Sequence, residues 1–114
     1  MGIINHTDNI ILVELQSEPK IRPELDKAME MVRQETNSDV IIDLSRVDIL
    51  LSLSISGFVQ LHKLLTASGR RLIFFNASEL TRNIFKLTCV DCFFEFVEDR
   101  DAAIAALNTP VAAE

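Results

Sequence analysis

Residues 40–65 decide the fold: Val40-Ile41-Ile42-Asp43-Leu44-Ser45-Arg46-Val47-Asp48-Ile49-Leu50-Leu51-Ser52-Leu53-Ser54-Ile55-Ser56-Gly57 runs straight into Phe58-Val59-Gln60-Leu61-His62-Lys63-Leu64-Leu65. The first five are nearly unbroken aliphatics, the mark of a strand in a sheet covered on at least one face, and Asp43 closes it. A serine-rich turn follows. Ile55, Phe58, Val59, Leu61, His62, Leu64 and Leu65 then share one broad helical face, with Gln60 and Lys63 turned outward. Ser68-Gly69 stops that helix, because glycine readily adopts the left-handed conformation of a helix C-terminus.

Upstream, Ile10-Ile11-Leu12-Val13-Glu14-Leu15 reads as a strand, and Ile3-Ile4 can pair with it across residues 5–9. From Ile21 the apolar positions change to helical spacing, with Leu25, Ala28, Met29 and Val32 on one stripe, Pro23 tolerable in the first turn and an end expected near Asn37. Downstream, residues 71–76 form the next strand. Ser78 is placed to cap a helix that carries Leu80, Ile84 and Leu87 on one side. Phe93-Phe94-Glu95-Phe96-Val97 is the last strand, and Glu98-Asp99 puts acids at the positive end of a closing helix through Ile104 and Leu107. The reading is one domain over residues 1–108 and a flexible C-terminal tail over 109–114. The element order predicts an α/β domain with a mixed, mostly parallel sheet of about five strands and about four helices.

At 114 residues and 48% hydrophobic, the chain can bury one continuous core without disulfides or a structural metal. Seventeen acidic against 11 basic residues leave a net charge of −6. The densest basic feature is the pair Arg70-Arg71, which excludes direct nucleic-acid binding, since phosphate contacts need concentrated positive charge. A protein partner suits this surface better. No apolar run approaches the ~20 residues that span a bilayer, and the N-terminus lacks a signal-peptide pattern, so a cytoplasmic protein without membrane insertion is expected. Met1-Gly2 opens like a myristoylation signal, but His6 stands where that motif wants Ser or Thr.

Cys89 and Cys92 form a single C-x-x-C, which reads as a redox pair, half a zinc site, or two small thiols in a reducing compartment. Zinc would need two more ligands, and His6 and His62 lie far apart without paired spacing, so the third reading is preferred and no metal or cofactor is expected. His62 lies on the core-facing edge of its helix. Asp43 and Asp48 make a weak carboxylate pair, with no metal ligands or glycine-rich loop beside them.

With those residues in view, the central stretch resembles the phosphoacceptor region of STAS domains, the fold of bacterial anti-sigma factor antagonists. The family pattern runs roughly D-L-S-x-V-x-x-I-D-S-S-G-L-G-x-L-L-x-L. Laid without gaps, this chain supplies Asp43-Leu44-Ser45, Val47 and Leu50, then Leu51-Ser52-Leu53-Ser54 where D-S-S-G is usual. Gly69 before Arg70-Arg71-Leu72-Ile73 keeps the register, and Leu87-Thr88-Cys89-Val90-Asp91-Cys92-Phe93-Phe94 resembles the L-T-G-L-D-x-L-F leading into the final strand. A competing register lays Ser54-Ile55-Ser56-Gly57 over D-S-S-G at the cost of a three-residue insertion after Asp48.

On the gapless register the resemblance implies a stand-alone STAS-like domain that turns over no substrate. It would bind an anti-sigma factor of the serine-kinase type in a partner-switching pathway that regulates transcription. Ser52 matches the regulatory serine. The implied contact surface is Ser52, Ser54, Ser56 and Gly57, with Asp48 and Asn76 at its margin. Three alternatives stand beside this: the serines are only helix N-caps; the module is an unphosphorylated scaffold or transport-complex subunit, as Leu51 in place of the acid suggests; or Cys89, Cys92 or His62 serve a small redox or hydrolytic enzyme. The oligomeric state, monomer or weak dimer, is left open by the sequence.

Overall fold

A computed structural model describes residues 3–7, 9–34, 37–87 and 94–108, with side chains from Asn9 onward. The elements are β1 (Ile3–Thr7), β2 (Ile10–Glu14), α1 (Ile21–Gln34), β3 (Asp39–Asp43), α2 (Ser52–Thr66), β4 (Leu72–Phe75), α3 (Glu79–Leu87), β5 (Glu95–Val97) and α4 (Arg100–Asn108). The five strands lie in the order β1-β2-β3-β4-β5. β1 and β2 form an antiparallel hairpin, and every later pair is parallel. The anticipated α/β architecture is therefore the observed one.

Each parallel neighbour is reached by a helical crossover that steps the same way along the sheet. Right-handed crossovers of that kind must all lie on one face. The core follows that logic. Val13, Ile42 and Phe74 stand in register and point with Ile11, Val40 and Leu72 toward buried residues of α1, α2 and α3. The alternate row, Leu12, Ile41 and Ile73, points the other way with Phe75 and is covered by Ala103, Ile104 and Leu107 of α4. Burial on both faces explains why residues 40–42 are aliphatic without alternation.

The rings of Phe58 in α2, Phe74 in β4, Phe85 in α3 and Phe94 beside β5 form the centre of the larger layer. Phe58 meets Phe74 edge-on with centroids 5.3 Å apart, Phe85 lies 5.6 Å from Phe58, and Phe94 lies 5.0 Å from Phe74. These spacings are those that favourable aromatic pairs adopt. On the far side of α2, Gly57 sits against α1: an added Cβ would come within 2.9 Å of Leu25 Cδ1 and 3.1 Å of Arg22 Nη1. Glycine is what lets the two helices approach.

Two arginines fasten the edges. Buried Arg70 donates to the carbonyls of Val32 (3.1 Å) and Ser38 (3.4 Å), placing its charge at the negative end of α1. Arg71 forms a bidentate pair with Glu95 and donates to Ala106 O at 2.8 Å, tying β5 to α4. The hydrogen-bonded Glu95 carboxylate raises the Arg71 guanidinium pKa further above its ordinary value.

Two strand boundaries move from the expected ones: β3 spans Asp39–Asp43, and β4 is trimmed to Leu72–Phe75; α1 is described to Gln34, and residues 35–36 beyond it lie outside the described residues. Ser78 caps α3 as anticipated, its Oγ accepting the Thr81 N–H at 3.1 Å. The buried side of that helix is different: Thr81 and Phe85 point inward, whereas Leu80 and Leu87 are 59% and 84% exposed. Phe85 is needed to complete the ring cluster, and Thr81 Oγ1 donates to the buried Val47 carbonyl, so the helix turns to bring both inside. The Cys89 and Cys92 readings, residue 93 of the last strand and the tail at 109–114 lie outside the described residues.

Candidate functional site

Between the end of β3 and the start of α2, residues 44–51 cross the carboxyl edge of the sheet. Two of them reach inward, Val47 at 2% and Leu50 at 9% exposure, and anchor the segment to the core. Leu44 N–H donates to Phe75 O, Val47 N–H donates to Leu44 O, and the Ser45 N–H is taken by Asp43 Oδ1 at 2.9 Å. With its ends held, the segment turns Asp48, Ile49 and Leu51 outward. Ile49, Leu51 and Leu53 are 63%, 49% and 61% exposed, a concentration of aliphatic surface around Ser52.

Ser52 is the first residue of α2 and is exposed. Leu51 occupies the N-cap with extended backbone (φ −85°, ψ 154°) and no side-chain cap, and the first turn carries no acid. Helix starts leave their leading N–H groups without internal acceptors, so this end is electropositive and poorly satisfied by its own residues. Two side chains from outside the segment address it. Glu18, before α1, accepts the Leu51 N–H at 2.8 Å through Oε2. Arg22 of α1 donates from Nη1 to Leu53 O (3.0 Å) and Ser56 Oγ (3.3 Å) and from Nη2 to Gln60 Oε1 (2.9 Å), with Nε on Asp26.

The residues singled out from sequence divide into three groups. Asp48 and Ser52 share the exposed turn, and Ser56 stands one helical turn on, donating to Leu53 O at 3.1 Å on the side facing α1. Ser54 and Gly57 are buried. Ser54 has ordinary negative φ, so a serine at the motif's glycine position causes no backbone strain, but its Oγ is enclosed without a hydrogen-bond partner among the described residues. Asn76 follows directly on β4. It sits at φ +59°, donates Nδ2 to Asp43 Oδ1 at 3.3 Å, and lines a recess of about 350 Å³ with Glu14, Asp99 and Asp101.

Glu18 and Arg22 were not legible from the sequence, and neither were the exposed positions of Ile49 and Leu53. Glu18 and Arg22 lie more than thirty positions from the groups they contact at residues 51–60, so no local pattern announces those contacts. Half-buried His62 packs its ring edge on Phe94 at 5.4 Å. Among the described residues, no His, Cys, Asp and Glu cluster is arranged to hold a metal, and no helix is long and apolar enough to cross a membrane. The geometry is that of an anchored turn with exposed aliphatic side chains and an exposed hydroxyl, that of Ser52, at a helix N-terminus.

Residues 4–103 match the family model described as the STAS domain. An anti-sigma-factor antagonist (STAS) domain protein from Planctomyces limnophilus is 15% identical and superposes with a TM-score of 0.82, covering 94% of this chain and 98% of that one. An anti-sigma factor antagonist from Mycobacterium paratuberculosis is 22% identical, with a TM-score of 0.76 over 94% of this chain and 92% of its own. The anti-sigma factor antagonist SpoIIAA, in its unphosphorylated form, is 16% identical with a TM-score of 0.79 over 96% and 97%. The phosphorylated form of SpoIIAA, a cell fate determinant of Bacillus, gives a TM-score of 0.68 at 14% identity, over 91% of this chain and 96% of that one. At these identities the likeness is one of fold. No curated protein sequence matches the chain.

Proposed function

The chain belongs to the STAS domain family, whose model its residues 4–103 match, and on that premise we propose that it is an anti-sigma factor antagonist-like binding protein of the cytoplasm. Its partner is an anti-sigma factor of the serine-kinase type. The unmodified domain captures that partner over the first turn of α2 and so frees a sigma factor; phosphorylation of Ser52 ends the capture.

One observation carries this reading: an exposed serine at the first position of α2, set among exposed Ile49, Leu51 and Leu53 on an otherwise anchored segment. Apolar side chains left in water on a fixed turn favour docking, because covering them releases ordered water at roughly 25 cal/mol per Å². A phosphate would place about −1.5 to −2 charges in the middle of that contact. The helix N-terminus tolerates the anion, so the fold survives and only the interface is lost. The kinase brings its own catalytic base in the usual phosphoryl-transfer scheme, so Leu51 does not forbid the step.

A second reading has its own observation. Leu51 stands where the motif has an acid, which favours a STAS module that keeps the fold as a fixed scaffold or transport-complex subunit without the switch. Affinity capture from lysate of the source organism separates the two, with bound proteins and the bait read by mass spectrometry with and without ATP. Recovery of a kinase-like partner that leaves on ATP addition, with phosphate on Ser52, is expected. A partner indifferent to ATP on an unmodified bait would establish the scaffold instead.

A further inference from the structure

Helix α2 begins without the usual means of closing its N-terminus. In a capping box the N-cap side chain bonds the N–H three residues on, and an acidic or amide side chain at that third position reaches back to the N-cap N–H. Here the N-cap is Leu51, which has no acceptor, and the third position is Ser54, which is buried and too short to reach back. The Leu51 N–H is nevertheless satisfied, by Glu18 Oε2 at 2.8 Å, 33 residues earlier. The segment bearing Glu18 is itself held. Gln16 N–H donates to Glu24 Oε1 at 3.2 Å, and Lys20 N–H donates to Ser17 O at 3.1 Å.

We propose that Glu18 is the positioning residue of the docking turn, supplying from the β2–α1 segment the acceptor for the Leu51 N–H that Ser54 at the third position cannot supply, and that a phosphate on Ser52 displaces it. The displacement rests on the reading of Ser52 as phosphoacceptor. Ser52 is the next residue after Leu51, so its phosphate and the Glu18 carboxylate would compete for one electropositive helix end. The phosphate carries the larger charge, about −1.5 to −2 against −1, and is covalently held there. The nearby Arg22 guanidinium is already shared among Leu53 O, Ser56, Gln60 and Asp26 and does not neutralise a second anion. Modification thereby changes residues 17–20 as well as the turn, widening the surface that a docked partner loses.

The test uses the full chain, amide hydrogen exchange followed by NMR, and phosphoserine installed at position 52 during translation. Glu18→Ala is expected to speed exchange of the Leu51 amide about tenfold, the value of one net hydrogen bond. An unchanged rate overturns the positioning role. In thermal melts, Leu51→Asp, whose carboxylate caps the N–H three residues on, is expected to stabilise the domain more when combined with Glu18→Ala than in the presence of Glu18, where two carboxylates would crowd one helix end. Additive effects would mean the two positions do not share a role. Phosphoserine at 52 is expected to raise the exchange rate of the Lys20 amide severalfold; a rate equal to that of the unmodified chain overturns displacement. None of these readouts involves a kinase or a partner. A failure of Ser52 phosphorylation in the cell would therefore refute the switch while leaving the role of Glu18 standing.

Discussion

The two ends of α2 are built by opposite rules. At its C-terminus Gly69 adopts φ +72°, the Gly69 and Arg70 N–H groups close onto Thr66 and Leu65 carbonyls, and Leu61 and Leu65 are fully buried beneath. Every device there is local and satisfied. At its N-terminus the cap is a leucine, the Ser54 hydroxyl is buried without a partner among the described residues, and three aliphatic side chains face water. That end is held by Glu18 and Arg22 from elsewhere in the chain. Departures from local rules that survive in a well-packed domain concentrate where something other than folding is served. The contrast separates the part of α2 that stabilises the domain from the part we propose as the partner's contact.

The comparison breaks first at the core side of the helix. Phe58→Ala is expected to cost about 3–5 kcal/mol in urea unfolding, since a ring touching Phe74 and Phe85 leaves a cavity. A loss near the range of a surface substitution would mean the ring cluster does not anchor α2. Gly57→Ala should cost at most about 1–2 kcal/mol, because the new methyl must push aside the side-chain ends of Leu25 and Arg22 while alanine regains about 1 kcal/mol of helix propensity. A neutral result would show that those side-chain ends yield without cost. Gly69→Ala should cost about 1–2 kcal/mol through the left-handed backbone alone, its Cβ meeting nothing nearby.

The remaining two substitutions sharpen the contrast at the other end. Leu53→Ser is expected to leave stability within ~0.5 kcal/mol while weakening partner capture about tenfold, or ~1.4 kcal/mol, as titration calorimetry would measure. Equal affinity would remove the aliphatic group from the docking turn. Ser54→Ala is expected to stabilise the domain by about 1 kcal/mol, because it deletes an enclosed hydroxyl that has no described partner and improves helix propensity. Destabilisation would indicate that the hydroxyl is satisfied by water.

Much of this molecule was legible in its residues because periodicity is a local property. The aliphatic run at 40–44, the helical stripe from Ile21, Ser78 as a cap and Gly69 as a stop each act within a few positions, and each stands where the pattern put it. Those elements in that order suffice to imply a parallel α/β sheet, and the motif around Ser52 suffices for the family resemblance. Tertiary structure decided the rest. The inward side of α3 depended on which residues could complete a ring cluster and satisfy the Val47 carbonyl, requirements set by other elements. Asn76 was drawn to Asp43 by where β3 and β4 end. Glu18 and Arg22 reach the start of α2 only because the fold brings sequence-distant segments together, and a local pattern carries no trace of contacts made across such a gap.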